Sequence, residues 1–475
     1  MERKPELVFG ASGYIGTNLV EFLRQEGRSV RATARNIEVI EGRGWDGVDL
    51  RQADALKPET LGAALEGVGT AYYLVHSMGA GRHFPELDAD AAHNFTSAAA
   101  EQGIQRIVYL GGLTPSDPQS THLKSRAQTG DVLRAGTVPV TELRAGMIIG
   151  PGSAAWEVMR DLVNHLPVMV TPRWVSSRST PVALRNLLRY LADVSQHDAT
   201  AGEIYDVAGP DELTYAEIMQ QYGELVDKKP VIFPVPVLTP RLSSYWLRLV
   251  TAVPTNIARA LIDGLSQDVI ARDDRIKEFI PQRLLTVREA AQEALDADRQ
   301  HAVPARWVES AIAVKSFKPQ YSYYAKQASG TYETTAEADA LWSVICSVGV
   351  GGDFFYGQML WWLRRAMDWI VGGPSFRRGR RHPTNLRVGD VVDAWRVIAI
   401  DRNERLTLLM EKKAPGAGVL EFRIGGQGGG SRIVSVHGYW HPAGAWGLLY
   451  WYATLPVHSL LFKGTAREIA RRAEN

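Results

Sequence analysis

The sequence predicts two architectures in one chain: an α/β unit built on a doubly wound parallel sheet, followed by an α+β unit with an antiparallel sheet. Three observations carry this. Short apolar runs alternate with helix-period stretches through the first half, the pattern of parallel strands joined by crossover helices. The first run leads into LVFGASGYIG, Leu7 to Gly16, where glycines three residues apart separate a strand from a helix. Past residue 390, strands follow one another through RNE, KAPGAG and GGQGGG turns with no helix between them, which predicts consecutive hairpins.

Composition bounds the rest. A chain of 475 residues is too long for one ordinary core, so two or three domains are expected. A hydrophobic content of 45%, 22% charged residues and a net charge of +1 are those of a globular protein and give no sign of a nucleic-acid partner. A single cysteine, Cys346, excludes a disulfide framework or a cysteine zinc site, and no metal site is expected. The opening MERKPELVFG enters a strand without an apolar leader, so a cytoplasmic location is expected.

In the glycine loop, Gly10 permits the tight turn, Gly13 lets a pyrophosphate approach the backbone, and Gly16 lets the helix pack on its strand. The helix start then directs free N–H groups at phosphate, with Ser12, Tyr14 and Ile15 completing the loop. Strands follow at Ser29 to Ala34, Gly47 to Ala53, Thr70 to Val75 and Arg106 to Leu110, with helices at Pro58 to Glu66 and Asp88 to Gln102 between the later ones. Ligands on such sheets bind beyond the carboxyl ends of the strands. That selects Arg35, Asp54, Val75, His76 to Met78 and Gly111 to Thr114. The second strand ends in Arg35 where an NAD site usually has a carboxylate. A guanidinium there pairs with a 2'-phosphate, so NADP(H) is expected rather than NAD(H). Arg31 competes for that role, and Asp54 serves equally as an adenine contact or as a helix cap.

The motifs GASGYIG, VRATARN, YYLVHSM, RIVYLGGL and ELRAGMIIGPGS resemble the atypical short-chain dehydrogenases/reductases of the NAD(P)-binding, NmrA-like group. The resemblance implies a Rossmann-type domain. It also implies a Tyr-x-x-x-Lys pair as proton donor, and here the stretch STHLKSRAQTG puts His122 and Arg126 in those places, with Gly111 or Gly112 near the usual hydroxyl. Arginine does not give up its proton, so His76 and His122 remain as acid/base residues, while Lys124 and Arg126 are expected on cofactor ribose or phosphate. The activity implied is NADP(H)-dependent reduction of a hydrophobic carbonyl, quinone or enone; the alternative is a non-catalytic NADPH-binding structural or redox-sensing protein.

Domain boundaries are expected at 1–320, with a substrate lobe from about 151 that includes Glu203 to Pro210, and at 331–475. In the lobe, Tyr215 to Leu225 reads as a helix whose Met219 and Tyr222 belong to the core, and Trp246 to Val250 and Ala258 to Leu265 as apolar helical faces. The second domain has helical segments around Ala336 to Cys346 and Gln358 to Ile370, strands at Asp393 to Asp401, Arg405 to Glu411, Val419 to Ile424 and Ser431 to Tyr439, and a last helix from Val457 to Ala473. It resembles the helix-grip fold of START and polyketide-cyclase-type proteins, and an uncharacterised domain found fused to NmrA-like reductases. That resemblance implies an apolar cavity, lined by Trp395, Val397, Leu408, Met410 and Phe422, for a hydrophobic ligand. The tryptophans Trp361, Trp362, Trp369, Trp440, Trp446 and Trp451 fit either a cavity lining or core. Arg377, Arg378, Arg380 and Arg381 form a solvated turn or an anion site. Gly438 to Phe462 lacks charged residues over a membrane-spanning length, but Pro442 and Pro456 favour strand, turn and helix start. Peripheral membrane contact through it stays open.

Overall fold

The computed structural model describes residues 4–76, 84–115, 120–165, 168–235, 267–300, 304, 326–370, 380–412, 414–426, 431–442 and 444–474. The chain divides into two compact units, Met1–Ala313 and Val314–Asn475. Met78, the faces at 246–250 and 258–265, and Arg377 and Arg378 lie outside the described residues.

The first unit is built on a seven-stranded sheet. Its strands are β1 (Glu6–Phe9), β2 (Val30–Ala34), β3 (Asp49–Gln52), β4 (Thr70–Tyr73), β5 (Arg106–Gly112), β6 (Val140–Ala145) and β7 (Ile204–Val207), and the helices joining the first six include α1 (Tyr14–Gln25), α2 (Ile37–Glu41), α3 (Leu61–Leu65), α4 (Phe84–Glu101) and α5 (Thr121–Arg134). The spatial order is β3-β2-β1-β4-β5-β6-β7, with every pair parallel. Both faces are covered. Leu19, Val20 and Leu23 of α1 pack with Leu187 and Leu191 of the helix Leu184–Val194 on one side, and Phe95 of α4 with Leu133 of α5 on the other. The inner strands β1, β4 and β5 are apolar runs because neither face meets water, whereas the edge strand β3 is polar and partly exposed.

Four expectations need correction here. The helix expected to begin at Asp88 starts at Phe84, so Asp88 sits one turn inside it. Ile204–Val207, expected in the substrate lobe, is the last strand of the main sheet, in register with β6 from Ile204↔Glu142 to Val207↔Ala145. Parallel pairing with a strand sixty residues away leaves no local signal of which sheet it joins. The helix of the second unit expected from Val457 begins at Gly444 and runs to Ala473 with Pro456 inside it. Finally, the strand Lys326–Thr334 starts ahead of the expected boundary at 331.

Helix Tyr215–Leu225 matches its expected bounds, capped reciprocally by Thr214 and Glu217. Its Met219 and Tyr222 are buried in a separate cluster with Trp156, Met159 and Ala291, so the lobe has its own core.

The second unit is a six-stranded antiparallel sheet, ordered 326–334, 432–442, 416–426, 405–410, 395–401, 391–392. The long helix lies against the first two of these strands. It approaches so closely that a Cβ on Gly330 would sit 2.1 Å from Lys463 N and one on Gly438 2.6 Å from the Phe462 ring. Trp395, Val397, Leu408 and Phe422 share one apolar cluster with Ile345, Phe355, Phe462 and Ile469, and Met410 packs against it. Those side chains fill a core where the helix-grip resemblance expects a cavity lining. Trp440 and Trp451 are buried with them, whereas Trp362 and Trp369 are exposed. Among the described residues no helix is long and apolar enough to cross a membrane.

Candidate active site

Sheet order places the site. The chain reverses direction across the sheet between β1 and β4, whose last residues Phe9 and Tyr73 are register partners. Leu74 N–H donates to Phe9 O at 3.0 Å, so the glycine loop and the segment Leu74 to His76 leave the sheet side by side. Such a switch point opens a crevice at the carboxyl ends of both strands.

The loop is shaped for a close-approaching ligand. Gly10 has φ +97°, and a Cβ there would meet Leu74 O at 3.2 Å and the Val75 side chain at 3.3 Å. A Cβ on Gly16 would lie 2.3 Å from Gly10 O, so α1 packs on β1 only with glycine at that position. Thr17 Oγ1 donates to Ala11 O at 2.8 Å and locks the turn. Gly13 caps α1 without any side-chain bond, and the first turn holds no acidic residue. The N–H groups of Tyr14, Ile15 and Gly16 therefore have no intrahelical acceptor, and the helix dipole favours an anion there. These features fit a dinucleotide pyrophosphate.

Arg31 and Arg35 separate clearly. Arg31 donates to Asp49 Oδ2 at 2.7 Å and to the carbonyls of Ala64 and Glu66, which ties it into the sheet edge. Arg35 is exposed at the end of β2, its main-chain oxygen held by Gln52 Nε2 at 2.9 Å. Asp54 is half-buried, and its Oδ1 accepts from Leu56 N–H at 3.1 Å in a tight turn ahead of the helical turn at Pro58–Thr60, whose N-cap is Lys57.

His76 and His122 come together although 46 residues apart, with His76 Nε2 3.0 Å from His122 Nδ1. Asp88, which the sequence reading passed over as a helix start, completes the group: its Oδ2 lies 2.6 Å from His76 Nδ1 and accepts from Ser125 Oγ at 3.1 Å. Asp88 is 3% exposed, on the stripe Phe84, Asp88, Ala92, Phe95 that faces the core. A carboxylate at a core position of an amphipathic helix is the signal that could have found it. Helix α5 supplies His122, Ser125 and Arg126, and is pinned to β5 by Tyr109 Oη donating to Arg126 O at 2.9 Å. Arg126 Nη2 donates to Leu110 O, and its guanidinium lies 5.6 Å from the Tyr109 ring centre. Lys124 is exposed, on the other side of α5 from the buried Ser125. Gly111 is buried, with Glu142 Oε1 2.9 Å from where its Cβ would be.

Electrostatics set the resting state. Burial pushes His76 below its ordinary range, opposed by its bond to Asp88. Burial, then His76 and Arg126, push His122 well below. The two rings together thus carry little positive charge at neutral pH. With Asp88 ionised, the bond partners assign a proton to His76 Nδ1 and one to His122 Nδ1, leaving His122 Nε2 as an acceptor.

A separate cavity lies elsewhere. About 740 Å³ in volume, it is lined by Phe22, Glu26, Arg189, Asp193, Phe279 and Gln282. It sits at the carboxyl end of α1, a helix about 18 Å long. Its arginines Arg28 and Arg189 are paired with carboxylates, and no residue of the glycine loop or the histidine pair lines it. The chemistry of the glycine loop and histidine pair outweighs the size of this cavity.

Comparison with known proteins agrees with the geometry. Residues 10–153 match a family described as NAD(P)H-binding, and residues 320–465 match a protein family of unknown function, DUF2867. A curated relative, cinnamoyl-CoA reductase 1 of Oryza sativa subsp. japonica, is 30% identical over 115 residues, covering 23% of this chain and 34% of that protein. The match thus spans about a third of the relative's length. Among solved structures, the Citrobacter sp. triphenylmethane reductase complexed with NADP(H) is 21% identical with a TM-score of 0.51, covering 61% of this chain and 99% of that one. The Escherichia coli NADPH-dependent quinone oxidoreductase complexed with NADPH is 20% identical with a TM-score of 0.52, covering 61% and 99%. A nucleoside-diphosphate-sugar epimerase from Staphylococcus aureus is 16% identical with a TM-score of 0.51, covering 61% and 100%. The first unit is therefore a Rossmann-type domain that matches an NAD(P)H-binding family, and the second matches a family of unknown function.

Proposed function

We propose that the first unit is an NADP(H)-dependent reductase of a hydrophobic quinone, enone or carbonyl compound, with Asp88, His76 and His122 as its proton relay. The observation that carries this reading is the hydrogen-bonded line from Asp88 Oδ2 through His76 to His122, which begins at the end of β4 beside the glycine loop. The names of the reductases it resembles, acting on a quinone, a dye and a cinnamoyl thioester, support the reaction class.

The glycine loop and the start of α1 hold the pyrophosphate, and Arg35 takes the 2'-phosphate as a charge-assisted pair. The bound nicotinamide supplies a hydride, two electrons and one hydrogen nucleus. The chain supplies the proton. In the loaded state one proton is shared between Asp88 and His76 Nδ1, His76 Nε2–H donates to His122 Nδ1, and His122 Nε2 carries a hydrogen. When His122 Nε2 gives its proton to the substrate oxygen, the proton on His76 Nε2 moves to His122 Nδ1 and the one at Asp88 settles on His76 Nδ1. The site is left with an Asp88 carboxylate and one fewer proton, and the substrate has gained a hydride and a proton. Ser125 Oγ–H steadies the carboxylate that results.

A second reading is a non-catalytic NADPH-binding protein. It is favoured by Arg126, which is committed to Leu110 O and the Tyr109 ring instead of facing a reacting oxygen. Titration with both cofactors, followed by NADPH oxidation against a panel of hydrophobic quinones and enones, decides between them. The expected result is steady turnover with NADPH binding tighter than NADH, and Arg35→Ala weakening NADPH about 10- to 100-fold with NADH unchanged. Tight binding without turnover supports the second reading. NADH binding tighter, or NADPH affinity untouched in Arg35→Ala, removes Arg35 from the cofactor site.

A further inference from the structure

The second unit contains buried donors with nothing to donate to. Lys412, two residues past the strand Arg405–Met410, is 6% exposed. Its ammonium lies 5.3 Å from the Trp361 ring centre and 5.4 Å from that of Trp395. Among the described residues, Lys412 Nζ has no hydrogen-bond partner, and neither do Trp361 Nε1, Trp395 Nε1 or Arg364 Nη2, all of them buried atoms. Native interiors leave few such groups, and each calls for an explanation. Attraction to two indole faces helps hold an ammonium. It fills none of the three N–H bonds of the lysine, and it leaves the indole N–H groups, which can only donate, without acceptors.

Charge points the same way. The ionised groups acting on Lys412 are Asp393, Arg364, Asp368 and Arg365. With the lysine itself, three cations face two carboxylates, and Asp393 Oδ2 is already engaged by Arg365 Nε at 3.1 Å. His458, on which Arg364 acts, is pushed down to about 4 by burial and adds no charge at neutral pH. Burial also pushes Lys412 down to about 8, so the ammonium is still the main form at pH 7. Among these described groups the cations outnumber the carboxylates by one. Its walls are aromatic, with Phe354 stacked on Trp361 at 4.5 Å.

We infer that Lys412 Nζ, the indole N–H groups of Trp361 and Trp395, and Arg364 Nη2 form an oxyanion site that takes the carboxylate or phosphate group of a ligand. It is independent of the cofactor chemistry of the first unit. Four donor groups, on the helix Gln358–Ile370, the strand Trp395–Asp401 and the segment past Met410, suit an acceptor with several lone pairs, and an anion offsets the excess cation among them.

The test uses the full chain, with decanoate and inorganic phosphate as probes, read by tryptophan fluorescence and thermal unfolding. The expected result is that at least one probe changes the fluorescence saturably and raises an unfolding temperature; the stronger probe tells a carboxylate from a phosphate ligand. Lys412→Met is expected to lose the response and, without probe, to unfold at a higher temperature than the parent, because a lone buried charge is gone. Trp395→Phe, which keeps a ring and removes one N–H, is expected to fold and to weaken the probe about tenfold; it decides the matter if Lys412→Met does not fold. No response to either probe, or an equal response in both variants, overturns the site. A Lys412→Met protein that unfolds earlier and binds as before makes the lysine a packing residue.

Discussion

A carboxylate on the core side of a helix has to find donors or give up its charge, and Asp88 finds His76 and Ser125. The two histidines were legible from their places in the sequence, one at the end of a strand and one where a proton donor is expected. Their being linked was not, because the 46 residues between them close only through the sheet. Arg35 is expected at the cofactor from its place at the strand end, and the structure engages the competing Arg31 with Asp49, Ala64 and Glu66. The relay has a consequence for stability. His76 and His122 are both held below their ordinary range by burial, so below about 6.5 the unfolded chain takes up protons that the folded one refuses. That part of the stability is complete above about pH 6.5 and is lost as pH falls, at up to about 1.4 kcal/mol per pH unit for each histidine. His122→Asn should therefore flatten the decline of the first unit between pH 6.5 and 5 in urea unfolding; a slope equal to the parent's would contradict the neutral, buried state of His122.

At the scale of elements, the helical period alone gives the bounds of the helix Tyr215–Leu225, while the helix Ala154–His165 and the strand Val140–Ala145 go unmarked in the sequence pattern. The reading missed where a strong local rule was overridden. The sequence places Pro456 just ahead of a helix, yet it lies in the middle of one that runs from Gly444 to Ala473. Proline there removes the N–H that Tyr452 O would accept. Thr454 Oγ1 adds bonds to the carbonyls of Tyr450 and Trp451 one turn earlier, and the anchoring of Phe462 and Ile469 in the core carries the helix through. Pro456 is exposed, so Pro456→Ala leaves no cavity while restoring one backbone bond. It should stabilise the second unit by about 1–3 kcal/mol in chemical denaturation; a loss of stability would mean the proline sets a bend that packing requires.

For the whole molecule, each unit has a hydrophobic core of its own, so calorimetry should resolve two transitions. NADPH at a hundred times its Kd should stabilise one of them by about 2.7 kcal/mol and leave the other in place; a single transition shifted as a whole would mean the units unfold as one. The central claim, that the chain donates a proton to a reduced substrate through Asp88, His76 and His122, rests on turnover. It is tested most directly by the rate of NADPH oxidation with a hydrophobic quinone in the parent, His122→Gln and Asp88→Asn, with NADPH affinity measured alongside. General acid catalysis contributes about 10²- to 10⁴-fold. The account predicts that kcat falls by that order in His122→Gln and substantially in Asp88→Asn, while NADPH affinity stays within about twofold. Unchanged kcat in both variants, or a loss that tracks NADPH affinity, would contradict it.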